Sequence, residues 1–344
     1  MLEFQHITKR FGEKTALNDV SFIAEDGKVT GFLGPNGAGK STTMRCALNL
    51  IHANSGTSLI DGKPYAKIAS PMTEVGAVLD AKSAHRGRTA YNHLYSLALT
   101  HGISKKRVDE VIDITGLSSV KTRKAGSFSL GMSQRLSIAA ALLADPHNLI
   151  LDEPINGLDP EGVKWVRELC KYYASEGRAI LLSSHLMSEV ALTADNLVII
   201  AHGEILKRTT VQDFVDAHSQ HAVRLVTPEG EKLKQVLAQN HPECKILPDN
   251  RTPQDVQEGE LFRITDCELS QIAREIADNQ ILVYQLNYEH ASLEEAYLAL
   301  THGQEQYVTK AVPSSGSKPS EQKPSEQKTT EQNVEQSNNE ESAK

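Results

Sequence analysis

The chain has 344 residues, with 44 acidic against 36 basic side chains and a formal net charge of −8 at pH 7. This length allows about two domains, and the acidic balance argues against nucleic-acid binding through charge alone. The four cysteines are scattered, without a paired Cys-x-x-Cys spacing. We therefore expect buried or incidental thiols and neither a disulfide nor a zinc framework.

The amino terminus and the apolar runs predict a protein that is not itself inserted in a membrane. Residues 1–6 lack a basic region followed by an apolar run, so we expect no signal peptide and a cytoplasmic location. The longest apolar runs, such as 139–144 and 197–201, are far shorter than the roughly 20 residues that span a bilayer. Any membrane role is expected to come through a partner.

Two kinds of strand pattern occur in residues 1–217. Apolar positions alternate at Leu2 and Phe4, which is typical of half-exposed antiparallel strands and recurs at Val20 and Phe22. Continuous apolar runs, which predict buried strands, occur at residues 149–151, 179–182 and 197–200, and a nearly continuous one at 29–33. Helical stretches separate these runs, which favours a parallel sheet covered by helices. Residues 84–144 follow the helical period and predict a helical insertion.

The pattern changes beyond residue 217. Strand-like runs at 223–226, 261–264 and 281–286 alternate with helices, and Ser292 with Glu295 forms a capping box that opens a helix over 293–300. Residues 218–302 are therefore expected to form a small α+β domain. Lys-Pro-Ser-Glu-Gln occurs twice in succession within 303–344, and this polar, low-complexity tail is expected to be disordered.

A glycine-rich loop predicts a phosphate site. Residues 34–41, Gly-Pro-Asn-Gly-Ala-Gly-Lys-Ser, fit G-x-x-x-x-G-K-[ST] between a predicted buried strand and a helix. The glycines let backbone N–H groups turn toward phosphate oxygens, and the helix adds its positive end. Lys40 is predicted to reach the β- and γ-phosphates of ATP, and Ser41 to ligate Mg²⁺. The nucleotide contacts expected here are Gly34, Pro35, Asn36, Gly37, Ala38, Gly39, Lys40, Ser41 and Thr42.

A carboxylate pair follows a second buried strand. The run 149–151 ends in Asp152 and Glu153, which places both carboxylates near the carboxyl edge of the sheet, beside the loop. Asp152 is predicted to bind Mg²⁺ directly or through water. Glu153 is then free to orient or deprotonate an attacking water molecule.

Further motifs follow in order. Ser129-Leu130-Gly131-Met132 resembles the ABC signature Leu-Ser-Gly-Gly-Gln, residues 156–160 resemble the D-loop, and Ser-Ser-His ends at His185 after the next predicted strand. On these motifs, residues 2–217 resemble the ATP-binding subunit of an ABC transporter. The implied fold is α/β: a P-loop NTPase ABC cassette with a mixed sheet core, an antiparallel β edge and a helical subdomain.

The resemblance implies roles for residues outside the loop. Ser129 and Gly131 would contact the γ-phosphate held by the other subunit, and Asp159 would shape the subunit interface. His185 would contact the γ-phosphate and position the water. Phe11 resembles the aromatic residue that stacks on adenine, although an ordinary core phenylalanine is the alternative.

One position departs from the family pattern. Where transporters usually carry a glutamine, the Q-loop, this chain has Asp80. A carboxylate still approaches Mg²⁺ but, as an acceptor only, donates no hydrogen bond to the nucleophile. We expect an altered coupling contact there. Residues 81–93 resemble the region that receives the coupling helix of a membrane partner.

The expected function is that of an ATPase that dimerises, as a homodimer, around two Mg-ATP and drives a separate permease from the cytoplasmic face of the membrane. Residues 220–302 resemble the accessory domain of exporter-like drug-efflux and antibiotic self-protection subunits, which favours export; dimer support and regulation both stay open as roles. The alternative is a soluble ABC-type ATPase that switches a non-membrane partner. Ser129 follows Lys40 too closely for the long coiled coil of chromosome-type members, and only one cassette is found.

Overall fold

The computed structural model describes residues 1–218, 222–248, 259–289 and 292–301. The tail expected to be disordered, 303–344, lies outside the described residues. Within them the strands are β1 (Leu2–Phe11), β2 (Lys14–Ala24), β3 (Val29–Leu33), β4 (Ser55–Ile60), β5 (Val75–Val78), β6 (Asn148–Asp152), β7 (Ala179–Ser184), β8 (Asn196–Ala201), β9 (Glu204–Thr210), β10 (Ala222–Thr227), β11 (Lys245–Pro248), β12 (Glu260–Thr265) and β13 (Gln285–Glu289).

The α-helices of the same residues are α1 (Lys40–Ala47), α2 (Pro71–Glu74), α3 (Ala90–Thr100), α4 (Lys105–Ile114), α5 (Leu130–Leu142), α6 (Pro160–Ser175), α7 (Met187–Thr193), α8 (Val211–His218), α9 (Gly230–Asn240), α10 (Leu269–Asp278) and α11 (Leu293–Thr301). Short 3-10 turns occur at Tyr65–Lys67, Ser118–Val120 and Ala125–Ser127. No helix of the described ranges combines the length and the apolar character that crossing a bilayer requires.

A six-stranded mixed sheet positions the predicted site. Its strand order is β5-β6-β7-β3-β8-β9, with β9 antiparallel to β8 and the other neighbours parallel. All residues of β3 and β7 are buried, which is why these strands are mostly apolar in the sequence. The register pairs Leu33 with Ser184 and Asp152 with Ser183. The loops that follow β3, β6 and β7 therefore leave the sheet at one edge.

The predicted antiparallel edge is a three-stranded sheet of order β2-β1-β4. Phe4 pairs with Phe22, and their rings stack with centroids 4.2 Å apart. Buried Leu2, Phe4 and Ile7 alternate with exposed or half-buried residues along β1. These side chains face the core of the six-stranded sheet, in agreement with the period-2 pattern.

Three helices lie between β5 and β6. The hydroxyls of Thr89, Ser104 and Ser129 each accept a hydrogen bond from the backbone N–H three residues on, and so cap α3, α4 and α5. Buried side chains such as Leu94 and Val111 pack these helices into the core that also contains Leu151 of β6. The start of α5 is therefore fixed relative to the large sheet.

The C-terminal sheet has the antiparallel order β11-β12-β10-β13, with α9 and α10 packed against it. Strands β10 and β12 lie where the sequence predicts strands, but the third predicted strand, at 281–286, begins only at Gln285. The reason is that Ile281 N–H closes the end of α10 by donating to the Ile276 carbonyl, 3.0 Å, and Leu282 N–H donates to Glu229, 2.8 Å. Strand β11 is mostly exposed and short, so its sequence carries no alternation.

The expectation of four separate thiols is wrong for one pair. Cys244 and Cys267 are joined as a disulfide, with Cα atoms 5.4 Å apart. They are 23 residues apart in the sequence, and only the pairing of β11 with β12 brings them together. Cys46 and Cys170 are buried free cysteines, as expected.

The last helix returns to the main sheet. The capping box of α11 is present: Glu295 N–H donates to the Ser292 hydroxyl, 3.1 Å, and Ser292 N–H to the Glu295 carboxylate, 2.9 Å. Leu293 and Tyr297 of α11 pack with Phe214 of α8 and Val190 of α7. This cluster fastens α11 to helices that follow β7 and β9.

Candidate functional site

The glycine-rich loop connects β3 to α1 at the carboxyl edge of the large sheet. Gly37 and Gly39 have φ of 83° and 115°, a region that side chains disfavour. A Cβ at Gly39 would lie 2.6 Å from the Leu17 side chain, and one at Gly34 would collide with the Ile200 carbonyl oxygen. Backbone conformation at Gly37 and Gly39 and close packing at Gly34 and Gly39 therefore require glycine.

Lys40 is the first residue of α1, and its ammonium points back into the loop. The residue is only 6% exposed, and Nζ donates hydrogen bonds to the Gly34 carbonyl, 2.6 Å, and the Pro35 carbonyl, 3.4 Å. Burial lowers the pKa of Lys40, whereas the carboxylates of Glu153 and Asp152 act in the opposite sense. A buried cation in a glycine loop favours an anionic ligand.

Ser183 joins the Asp152 carboxylate to the backbone of Glu153 at the end of β6. It is fully buried on β7, where its hydroxyl donates to Asp152 Oδ1, 2.6 Å, and accepts from Glu153 N–H, 3.0 Å. Sequence reasoning gave Ser183 no role. Its position at the end of a predicted buried strand is the one local signal in the sequence; its place beside Asp152 comes from the pairing of β6 with β7.

Glu153 lies between a lysine and a histidine. Its Oε2 lies 2.7 Å from His185 Nδ1, and its Oε1 lies 4.0 Å from Lys40 Nζ. The Glu153 backbone has φ of 50°, an unfavourable conformation for a residue with a side chain. The Ser183 hydrogen bond and the two cationic or potentially cationic neighbours hold Glu153 in this position. The structure thus brings together Lys40, Asp152, Glu153 and His185.

The signature segment, residues 129–132, lies at the start of α5, the last helix of the helical insertion. Ser129 caps α5, its hydroxyl accepting from Met132 N–H at 3.2 Å. Gly131 lies against the chain near the D-loop, since a Cβ at this position would be 2.7 Å from the Gly157 carbonyl oxygen. In the described part of the chain, no hydrogen bond or ion pair joins Ser129 to the glycine-rich loop. Ser129 is exposed.

Asp159 and Phe11 also lie outside the central cluster. The Asp159 carboxylate caps α6 by accepting from Gly162 N–H, 3.0 Å. Phe11 is 50% exposed at the end of β1, with the Lys9 ammonium 5.0 Å from its ring centroid. An exposed ring suits stacking on a base and does not fit the alternative of a core phenylalanine.

Asp80 follows β5, the neighbour of the carboxylate strand. Its Oδ1 accepts from Lys82 N–H in its own loop, 2.8 Å. Its backbone carbonyl, together with that of Ala81, accepts hydrogen bonds from the Ser137 hydroxyl of α5, at 3.2 and 3.1 Å. The side chain therefore stabilises a local turn, while the backbone is attached to the helix that Ser129 caps.

The residues at the sheet edge fit a magnesium nucleotide. The buried Lys40 ammonium, which donates to the Gly34 carbonyl, offers a cation to phosphate oxygens. Ser41 and Asp152 offer a hydroxyl and a carboxylate, the oxygen ligands that Mg²⁺ prefers. These two residues would hold the metal ion.

Comparisons with known proteins indicate a family. A family model described as ABC transporter matches residues 17–156. The bacitracin transport ATP-binding protein BcrA of Enterococcus faecalis is 33% identical over 308 residues, 88% of this chain and 97% of the relative. The lantibiotic transport ATP-binding protein SrtF of Streptococcus pyogenes is 36% identical over 206 residues, 60% of this chain and 89% of the relative.

A solved structure of an ATP binding subunit of an ABC transporter has a similar fold. Its TM-score is 0.59 at 26% sequence identity, and the match covers 63% of this chain and 92% of that one. The residues that the family model matches include the glycine-rich loop, the signature segment and the carboxylate pair. The chain therefore belongs to the family of ABC transporter ATP-binding proteins.

Proposed function

We propose that this protein hydrolyses ATP as one half of a dimer and powers transport, in the direction of export, through a separate membrane permease. The observation that carries the proposal is the position of Glu153, held between Lys40 and His185 at the end of the carboxylate strand. This arrangement provides a base beside a phosphate cradle. In this assignment residues 1–217 form the nucleotide-binding domain, with a helical subdomain at 84–144, and 218–302 form the accessory domain.

Each group has one role in hydrolysis. Lys40, released from the Gly34 carbonyl, would donate to the β- and γ-phosphates, and Phe11 would stack on the adenine. Ser41 and Asp152 would hold Mg²⁺, which neutralises phosphate charge. Glu153 would then take the proton of the attacking water, while His185 donates a hydrogen bond toward the γ-phosphate.

A second copy of the chain would complete the site. Ser129 and Gly131 open α5, whose N-terminus is a favourable place for an anion, and Ser129 is exposed and not bonded to its own glycine-rich loop. The γ-phosphate on a partner subunit is the anion that we assign to it. Asp159, next to Gly157 and its contact with Gly131, would lie at the interface. Two ATP molecules would close such a dimer, and hydrolysis would release it.

A groove between the Asp80 loop and α5 is the proposed docking site for the permease. It has a volume of about 490 Å³ and combines apolar Ala84, Phe128 and Leu136 with basic Lys82 and Arg86. An apolar floor with a basic rim suits a short amphipathic segment. Docking here would hold the protein at the cytoplasmic face of a membrane. The names of the relatives, bacitracin and lantibiotic transport proteins, support export.

The test of hydrolysis is Glu153→Gln. The amide keeps the shape and the hydrogen bond to His185 but accepts no proton, so we expect ATP binding to persist, turnover to fall by about 10²–10⁴-fold and an ATP-bound dimer to accumulate on size exclusion. Glu161→Gln, an exposed carboxylate in the first turn of α6, is the control. Hydrolysis by Glu153→Gln at the parental rate would rule out Glu153 as the base.

The test of the membrane partner is crosslinking from the groove. A photoreactive residue in place of Arg86 should capture an integral membrane protein, whereas one in place of exposed Lys207 on β9 should not. Capture of a soluble protein from Arg86 alone would favour the alternative of a soluble ATPase that switches a non-membrane partner.

A further inference from the structure

Cys244 and Cys267 lie side by side at one corner of the C-terminal sheet. Cys244 comes directly before β11, and Cys267 is separated from the end of β12 by Asp266 alone. The register pairs Lys245 with Thr265, and Asp266 has the left-handed φ of 64°. With their Cα atoms 5.4 Å apart, the two cysteines direct their sulfurs to a shared point.

A histidine and a carboxylate join them. His241 follows the end of α9, and Cys244 N–H donates to its carbonyl at 3.0 Å, so a tight turn brings the two residues together. A ring nitrogen of His241, a carboxylate oxygen of Glu243 and the sulfur of Cys267 all lie within 4.8 Å of one another. Sulfur, imidazole nitrogen and carboxylate oxygen are the ligands of zinc in proteins.

The imidazole of His241 lies between two carboxylates. Its Nδ1 is 3.3 Å from Glu243 Oε1, and its Nε2 is 3.2 Å from Glu275 Oε1. A neutral imidazole has one N–H and satisfies one of these acceptors; the other contact needs a second proton or a cation. Glu275 is fixed by the Asn240 amide, 2.7 Å. A metal-binding histidine usually donates the N–H of its non-ligating ring nitrogen to a carboxylate. Here Nε2 faces Glu275 and Nδ1 faces the ligand cluster, so Glu275 occupies the position of that carboxylate.

The cluster opens to an entry path. Glu243 and Cys267 line a pocket of about 670 Å³ together with the carboxylates Asp266 and Glu268. Lys245, which also lines it, is already paired with Asp266 at 3.0 Å. The acidic excess attracts a divalent cation.

We propose that the reduced protein binds Zn²⁺ at this corner. The ligands are the clustered His241, Glu243 and Cys267, with Cys244 as the fourth because its sulfur lies beside that of Cys267, and Glu275 is a positioning residue. Binding replaces the two thiol protons, which leave to solvent, by two sulfur–metal bonds. The disulfide and the metal site use the same sulfurs and exclude one another. Thiols in the cytoplasm are normally reduced. The cytoplasmic location used here rests on the proposed function.

The experiment is a titration of the full chain with Co²⁺ and then Zn²⁺. The protein is reduced with a phosphine, stripped with a chelator and titrated anaerobically. We expect one Co²⁺ per chain, with a sulfur-to-cobalt charge-transfer band and the visible bands of a tetrahedral site, all removed by Zn²⁺. Cys267→Ser and His241→Ala should lose the bands. Cys170→Ala and His101→Ala, which remove a buried thiol and an exposed imidazole elsewhere, should keep them.

A variant of the positioning residue Glu275 tests the proposal even if a ligand variant fails to fold. Glu275→Gln leaves all four ligands in place and should weaken metal binding by about 10–100-fold. Absence of the charge-transfer band in the reduced wild type would overturn the proposal, as would bands that persist in both Cys267→Ser and His241→Ala. An unchanged metal affinity of Glu275→Gln would also contradict it. So would acid trapping that finds the Cys244–Cys267 pair fully oxidised in cells. The titration needs no nucleotide, so its failure is distinct from a failure of the proposed ATPase function.

Discussion

Removing the hydroxyl of Ser183 should slow ATP hydrolysis while leaving ATP binding nearly unchanged. In the variant Ser183→Ala, Asp152 Oδ1 loses a donor at 2.6 Å and Glu153 N–H loses an acceptor at 3.0 Å. Among the described residues no hydrogen bond or ion pair joins Ser183 to the glycine-rich loop, so the change acts on the Asp152 carboxylate and the Glu153 backbone. It is a positioning residue for both.

The size of the effect follows from these two bonds. A hydrogen bond to a charged group contributes about 1.5–3 kcal/mol, and about 1.4 kcal/mol changes a rate tenfold. If the geometry of Asp152 and Glu153 matters only in the transition state, kcat falls by roughly 10–100-fold. Since Ser183 is fully buried and the Glu153 amide is left without this acceptor, the free energy of unfolding should also fall, by about 1–3 kcal/mol.

The assay separates these effects with a neighbouring serine. Ser184 is 1% exposed on the same strand, but its hydroxyl accepts only from Leu186 N–H, 3.0 Å. Steady-state ATPase kinetics and equilibrium ATP binding are measured for Ser183→Ala and Ser184→Ala, with urea unfolding for both. The reasoning is refuted if Ser183→Ala keeps the parental kcat, or if Ser184→Ala loses as much kcat with a similar loss of stability.

Three further variants test other parts of the site. Lys40→Ala should abolish ATP binding, since the loop loses its cation; unchanged affinity in calorimetry would contradict the phosphate assignment. Gly131→Ala places a Cβ 2.7 Å from the Gly157 carbonyl, so ATP-dependent dimerisation, followed by light scattering, should weaken at least about tenfold, the equivalent of 1.4 kcal/mol. Burial raises the pKa of Cys170 to about 12 from 9.0; the unfolded thiol ionises first, so stability is lost as pH rises above 9.0. Between about pH 8 and pH 10 the free energy of unfolding of the wild type, measured in urea, should fall by about 1 kcal/mol more than that of Cys170→Ala, and parallel losses would contradict the raised pKa of Cys170.

The sequence alone predicted those features whose residues all lie in one short segment. The loop from Gly34 to Ser41 and the strand ending at Asp152 are local patterns, and the mostly apolar residues of β3 and β7 indicate their burial. The Cys244–Cys267 pair and the role of Ser183 were missed, because both depend on which strands are neighbours. Periodicity describes one segment at a time, and strand order is a property of the whole chain.

Strand β13 was predicted too early for a related reason. Ile281 and Leu282 are apolar and resemble the start of a strand, yet their backbone N–H groups are used by Ile276 and Glu229. A tertiary hydrogen bond therefore decides the backbone where propensity is weak. The backbone carbonyl of Asp80 has the same property, because its partner Ser137 lies on α5 and cannot be read from the residues beside Asp80.

The backbone at Asp80 links the two halves of the proposed cycle. Ser137 holds the carbonyls of Asp80 and Ala81, and it lies two turns along the same helix that Ser129 opens. The proposed permease groove is formed by residues of this loop and of α5. A shift of α5 on engaging a partner's phosphate would therefore be passed to the groove through these hydrogen bonds, without help from the side chain at position 80. Since that side chain is bonded to Lys82 N–H, an aspartate in place of the family's glutamine is compatible with coupling through the backbone.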